Sequence, residues 1–238
     1  MKKFFNILLI LLFIIIISYF GYKIYQKTQY PLHKVSALLN SVELPDNFHF
    51  IEKISDEYRN CSYEILYKDG LMYRIQNTTD LLNNLNYDFL SIHYGDQLIA
   101  IDHTNNTIIE YTDYFPTSSN LKYFALDPIG AFFLRVSYRG EYDHESHYKY
   151  HGKEKINGKT CLKVSFTTDC DNRYNQIIFY IDLDTNLIIR TEYIEDKGSG
   201  PYSVADYEYH FNTIDELKTF NINDYPDYTY KKEKALIP

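Results

Sequence analysis

Residues 63–75 read Tyr-Glu-Ile-Leu-Tyr-Lys-Asp-Gly-Leu-Met-Tyr-Arg-Ile. Asp69-Gly70 divides two runs rich in aromatic and β-branched residues. Asp and Gly both tolerate positive φ, which a two-residue hairpin turn demands at its two central positions. The stretch therefore predicts two antiparallel strands, Ser62–Leu66 and Leu71–Gln76. The same grammar continues downstream. Phe89–Tyr94 and Gln97–Asp102 flank Gly95-Asp96, and His103–Asn106 leads into Thr107–Thr112. Tyr148–Ile156 and Lys159–Thr167 flank Asn157-Gly158. Gln176–Asp182, Leu187–Ile194 and Tyr202–Phe211 complete the set, around a turn at 183–186. Turns recur about every 10–12 residues, the rhythm of an antiparallel meander.

Two segments break this period. Leu32, Val35, Leu38, Leu39 and Val42 recur at helical spacing, with Pro31 at a helix start and Pro45 beyond its end. Leu121, Phe124, Ala125 and Leu126, then Ile129, Phe132, Phe133 and Leu134, predict one or two short helices lying over the sheet. Residues 213–220 read as a short helix or turn. The rest of the C-terminus, 221–238, reads as a tyrosine-rich tail. No internal repeat or domain boundary is evident after residue 30.

The first 29 residues differ from the rest. They hold Lys2, Lys3, Lys23 and Lys27 and no acid. Phe4–Tyr22 is an uncharged run of 19 residues, close to the ~20 that a helix needs to span a bilayer core. Tyr19, Tyr22 and Tyr25 suit a membrane–water interface, and Lys2 and Lys3 favour an inside N-terminus. A cleaved signal peptide is the rival reading, but Ser18-Tyr19-Phe20-Gly21 offers no small-x-small cleavage pattern. The expectation is a single-pass signal anchor in residues 1–29 of a cell membrane, with residues 30–238 forming one extracytoplasmic domain.

That domain carries the remaining 20 basic side chains and all 32 acids, a formal charge of −12. A surplus of acid disfavours nucleic acid as a partner, because phosphate contacts need Lys and Arg. The 26 Tyr and 15 Phe exclude a disordered chain. The three cysteines, Cys61, Cys161 and Cys170, do not make a disulfide framework. Either Cys161 and Cys170 pair across a hairpin, or all three remain thiols.

Candidate chemistry is sparse. Asp143, His144, Glu145, His147 and His151 are metal-ligand types. Their spacing falls one residue short of H-E-x-x-H, so the run reads as a solvated loop entering a strand. Asp182, Asp184 and Asn186 resemble the start of an EF-hand loop, but Leu187 replaces its glycine and Tyr193 its closing glutamate, which leaves a polar hairpin turn. No G-x-S-x-G, catalytic cysteine signature or phosphate-binding glycine loop occurs. These observations predict no catalytic residues, metal or cofactor, and a non-enzymatic role.

Four segments together resemble the LolA/LolB-like lipoprotein-carrier superfamily. They are the 63–75 hairpin, "YGDQLIAIDHTNNTIIEY" (94–111), "INGKTCLKVSF" with "IIFYIDLDTNLIIRTEY", and "YEYHFNTIDELKTFNINDYPDY" (207–228). The resemblance implies a mainly β, α+β fold. It would be a curved, incomplete antiparallel barrel of about eleven strands, covered by short helices and here preceded by a transmembrane helix. In carriers of that kind the space between sheet and helices accepts acyl chains. A spore germination lipoprotein of similar fold instead binds and activates a cell-wall amidase. The residues read as facing inward are Ile65, Tyr73, Ile99, Ile101, Ile109, Val164, Phe166, Ile178, Tyr180, Ile188, Tyr207 and Tyr209. Two readings stay open. Part of this face lines a pocket for a lipid, lipoprotein or other apolar ligand, or helices fill it and the domain is an interaction module for an envelope protein.

Overall fold

The computed structural model describes residues 13–19, 21, 30–95, 97–112, 127–137, 147–170, 173–195 and 198–234. Among the described residues, α1 (Leu32–Asn40) and α2 (Asp127–Ser137), with a helical stretch at 13–19 and a 3-10 turn at Ile222–Asp224, accompany twelve strands. The first half of the sheet comprises β1 (Asn47–Asp56), β2 (Arg59–Lys68), β3 (Leu71–Asp80), β4 (Leu85–Tyr94), β5 (Gln97–Asp102) and β6 (Thr107–Thr112). The second comprises β7 (His147–Ile156), β8 (Lys159–Cys170), β9 (Arg173–Asp182), β10 (Ile188–Ile194), β11 (Ser203–Phe211) and β12 (Thr229–Lys234). They form one open, curved sheet in the order β12-β6-β5-β4-β3-β2-β1-β11-β10-β9-β8-β7. Every pairing is antiparallel except that of β12 with β6.

The predicted turns explain this meander. Asp69 and Gly70 have φ of 50° and 84°, and Asn157 and Gly158 have 50° and 81°. Positive φ at both central residues matches the right-handed twist of the flanking strands. The sheet differs from an eleven-strand incomplete barrel in its twelfth strand, which comes from the tyrosine-rich tail. Residues 213–220 form no regular helix; they cross a sheet face as a strap. Residues 113–126, with the first of the two apolar clusters read as helical, lie outside the described residues, while the second forms α2.

The core is divided between faces. On one face, Phe48 and Phe50 of β1 pair with Tyr67 and Ile65 of β2. Leu162, Val164 and Phe166 of β8 lie beside Ile177, Phe179 and Ile181 of β9. These bury against Val35 and Leu39 of α1 and Ile129 and Phe132 of α2. Phe132 is fully buried and meets Phe166 and Phe179 edge-to-face, at 5.2 and 5.4 Å between ring centres. On β3 the buried face changes. Met72 belongs to the helix-covered core, but Leu71 points the other way and joins Ile92, Ile99, Ile101 and Ile108 in a second core on the reverse face. A third patch, with Ile156, Cys161, Ile178, Tyr180 and Ile189, covers the reverse face of β8–β10.

Of the segment read as a membrane anchor, residues 13–19 are helical, with Phe13, Ile14, Ile15, Ile16, Ile17 and Tyr19 exposed. Among the described residues no helix is long and apolar enough to cross a membrane, and most of 4–25 lies outside them.

The cysteine pair read across a hairpin is corrected by the register. Cys161 and Cys170 occupy opposite ends of one strand, β8, opposite Asp182 and Arg173 respectively. Nine residues of strand span roughly 30 Å, against about 4.4–6.8 Å between the Cα atoms of a disulfide. Cys61 and Cys161 are buried free thiols.

Two outcomes follow. Phe132→Ala leaves a cavity among three rings and lowers stability by about 3–5 kcal/mol, read as a fall in the urea midpoint of the full chain in detergent. Alkylation without reductant labels Cys61 and Cys161 only once the domain is denatured, followed by mass spectrometry.

Candidate functional site

The helix-covered face was the expected place for a ligand, and its centre is packed. Ile65, Val164, Phe166 and Ile188 are 0–2% exposed and Tyr207 7%, with Tyr209 packed alongside. The other six inward candidates lie elsewhere. Ile99 and Ile101 are in the reverse-face core with Tyr73 against them. Ile178 and Tyr180 are in the third patch. Ile109 is half-buried on β6, facing opposite to Ile108 by strand alternation. The twelve are therefore split between two faces.

The reverse-face core borders a crevice beneath the C-terminal segment. Registers lay its floor out in rows across the strands. One row runs Tyr73–Ile92–Ile99–Glu110–Lys232 and the next Ile75–Leu90–Ile101–Ile108–Tyr230. Above them passes the strap, residues 212–228. Its Leu217, Phe220, Tyr225 and Tyr228 pack on the floor. Polar ties at the strap's ends and middle hold it there. The Asn47 side chain donates to the Ile214 carbonyl at 2.8 Å and accepts from its N–H at 3.2 Å. Lys68 Nζ donates to the carbonyls of Ile214 and Asp215, and the Tyr73 hydroxyl donates to that of Lys218. His103 Nδ1 and the Tyr228 hydroxyl lie 2.7 Å apart. Phe220, Tyr225 and Tyr228 pack ring against ring.

Between strap and sheet remains a crevice of about 350 Å³, lined by Leu71, Ile92, Tyr94, Gln97, Ile99, Glu110, Thr219 and Phe220. Leu71, Ile92, Ile99 and Phe220 supply its apolar surface, and Gln97, Glu110 and Thr219 add polar groups. Glu110 accepts from Lys232 Nζ at 2.7 Å and from the Tyr230 hydroxyl. These bonds hold its carboxyl below the usual range, so the wall stays ionised yet neutralised. Of the expected site residues, only Ile99 lines this crevice. Leu71, Ile92, Glu110 and Phe220 were missed. The Ile92–Ile99 hairpin pair was the available signal, since cross-strand neighbours share a face.

The metal-ligand run does not assemble. Asp143, His144 and Glu145 lie outside the described residues, and among the described residues no group of three His, Cys, Asp or Glu is placed to hold a metal. The Asp182 loop is a hairpin turn, as read. Asp182 accepts from the Asp184 N–H at 3.1 Å and the Thr185 hydroxyl at 2.9 Å, and Lys159 lies 3.3 Å away. Two serines approach histidines: Ser165 Oγ lies 2.7 Å from His151 Nε2, and Ser91 Oγ lies 3.3 Å from His93 Nε2. Ser165 is fully buried, and the charges acting on the two rings are cations, Lys149 and Lys163 on His151 and Arg74 on His93. A triad needs a carboxylate there and an accessible hydroxyl.

No protein-family model matches the chain. Nor does any curated protein match it by sequence. Solved structures resemble it in fold. An uncharacterized conserved protein from Thermus thermophilus is 8% identical over 83% of this chain and 98% of its own, at a TM-score of 0.45. LprF from Mycobacterium bovis is 11% identical over 79% of this chain and 98% of its own, at 0.44. The Mycobacterium tuberculosis lipoprotein LppX is 11% identical over 79% of this chain and 100% of its own, at 0.41.

The titrating groups near the sheet centre give a pH prediction. Burial, aided by the positive charge of Arg74, pushes His93 down to about 4, and burial with Lys149 and Lys163 does the same to His151. The unfolded chain then binds protons that the folded one refuses. Stability is full above the ordinary histidine pKa near 6.5 and falls as pH drops from there toward 4. The urea midpoint is expected to fall between pH 7 and pH 5, and His93→Gln to flatten that fall.

Proposed function

We propose that this chain is a membrane-tethered, extracytoplasmic binding protein, non-catalytic, that takes an acyl chain of a lipid or lipoprotein into the crevice beneath its C-terminal strap. One observation carries the reading. An apolar sheet face is roofed by an irregular strap in place of a helix, leaving about 350 Å³ over Ile92, Ile99 and Leu71. That volume falls within the ~300–1,000 Å³ range of small-molecule sites, which are mostly apolar with a few polar groups. The tether rests on the uncharged run Phe4–Tyr22 and on the exposed apolar side chains of residues 13–19. The domain's charge of −12 repels anionic headgroups, so contact with lipid is through an apolar recess and not by surface attraction.

A second reading, an interaction module for an envelope protein, is favoured by the packed helix-covered core. Its partner would not add a strand. Edge strand β12 is exposed along its length and reads Thr-Tyr-Lys-Lys-Glu-Lys. Edge strand β7 carries Lys149, Lys153 and Lys155 and a bulge between Tyr150 and Gly152. Lysines and bulges are devices that block edge pairing.

The test is uptake of radiolabelled palmitate by the full chain in a sugar-based detergent. Thr219 is exposed on the strap at the crevice rim. Thr219→Trp is expected to cut uptake more than tenfold at an unchanged urea midpoint. Wild-type protein that takes up no palmitate, or a variant that binds as well as wild type, removes the acyl reading. Stoichiometric recovery of one envelope protein by a palmitate-free sample selects the second.

A further inference from the structure

Between Ile214 and Asn221 the strap has little to hold it. Among the described residues, the backbone of 215–220 makes no backbone–backbone hydrogen bond. Two of its carbonyls, those of Asp215 and Lys218, accept from the side chains of Lys68 and Tyr73. Asp215, Glu216, Lys218 and Thr219 are exposed, and Leu217 and Phe220 are half-buried. We propose that residues 215–220 form a flap over the crevice, latched by Tyr73 and Lys68, and that the ligand enters when the flap lifts. This route presupposes that the crevice is the acyl site, as proposed above.

Both ends of the segment are fixed. Before it, the Asn212 N–H donates to the Asn47 carbonyl at 2.9 Å, Ile214 is buried, and the Asn47 side chain bonds Ile214 twice. After it, the Asn221 side chain caps the turn at Ile222–Asp224, accepting from the Asn223 N–H at 3.1 Å. The rings of Tyr225 and Tyr228 pack on that of His103, and the Thr229 N–H donates to the Asn106 carbonyl at 2.9 Å. A short segment between two such clamps is free to move while they hold.

Packing around the segment is incomplete. Thr219 and Phe220 line the crevice of about 350 Å³. A second recess, of about 250 Å³, is lined by Lys68, Asp69, Leu71, Asp215, Glu216 and Leu217. Leu71 borders both spaces. The segment meets the floor through Leu217 and Phe220. A side chain surrounded at interior density resists displacement, and one beside empty space has fewer contacts to lose. Local opening costs the buried contacts and hydrogen bonds that a segment must give up. Here those are two half-buried side chains and the bonds from Lys68 and Tyr73. Lifting the flap joins the crevice and the recess into one trough over Leu71.

The two latches differ. Lys68 Nζ reaches the Ile214 carbonyl at 3.1 Å and that of Asp215 at 2.5 Å, so it holds the clamp as well as the flap. Tyr73 stands on the floor opposite Ile92 and bonds the middle of the flap at Lys218. Its ring is half-buried against the reverse-face core, and that packing survives loss of the hydroxyl. Tyr73 is therefore the positioning residue whose change frees the flap without loosening its hinge.

The experiment is thiol labelling of the full chain in a neutral sugar-based detergent, with Leu71→Cys on the floor and a bulky maleimide as the probe. Peptide mass assigns each labelled cysteine. The thiol at 71 is expected to react at least about tenfold faster than the buried Cys161 of the same molecule, because it waits for the flap and not for global unfolding. Adding Tyr73→Phe is expected to speed labelling at 71 about fivefold further, with the urea midpoint and the Cys161 rate unchanged. A purely structural hydroxyl would lower the midpoint and speed both thiols alike. Saturating palmitate is expected to slow labelling at 71 about tenfold. Labelling at 71 no faster than at Cys161, or a rate that Tyr73→Phe leaves unchanged, overturns the flap. Labelling that depends on Tyr73 but is not slowed by palmitate supports the flap and counts against the acyl reading, so the two fail separately.

Discussion

One packing constraint shapes the domain: the twelve-strand open sheet buries apolar residues on both faces, and α1 and α2 pack against one of them. α1 and α2 cover β1, β2 and β7–β11 on one face. From β3 to β6 the sheet turns its apolar residues to the reverse face, and Met72 and Leu71, adjacent in sequence, belong to different cores. Water would exact roughly 25 cal/mol for each Å² of apolar surface left bare there. The C-terminal strap answers that need. Beyond the strap the chain pairs with β6 as β12, the one parallel partner in an otherwise antiparallel sheet.

The strap explains why the apolar space lies where it does. A helix presents a regular stripe that can interdigitate with a sheet at interior density. An irregular segment fixed at Ile214, Lys218 and Tyr228 touches the floor only where Leu217, Phe220, Tyr225 and Tyr228 reach it. Between those contacts a crevice remains. The helix-covered face has the opposite character, because Phe132 wedges between Phe166 and Phe179 and closes the centre.

Much of the strand order was legible. Asp69-Gly70 and Asn157-Gly158 each demand positive φ and each closes a hairpin, and Gln97–Asp102 and Thr107–Thr112 are strands over the spans read from period and turn chemistry. The twelfth strand was not legible, because Thr229–Lys234 is charged, exposed at every residue and lacks a buried face to betray it. The candidate site was legible in residue type only. Ile99 was named correctly as a floor residue, but Ile178 and Tyr180 lie on the back of β9, where Ile177–Ile181 is buried on both sides. A strand apolar at every position carries no alternation from which to choose a face.

The sequence by itself determined the hairpins, the two helical stripes, the contrast between a basic apolar N-terminal segment and an acidic β-rich remainder, and the lack of a recognisable catalytic motif. Each of these rests on local chemistry: φ preference, hydrophobic period and charge. Only the tertiary structure decided which face each strand buries, that the tail becomes a roof and an edge strand, and where space is left unfilled. Those depend on contacts such as Asn47 with Ile214, 167 residues apart, and such partners leave no trace in the spacing of either segment.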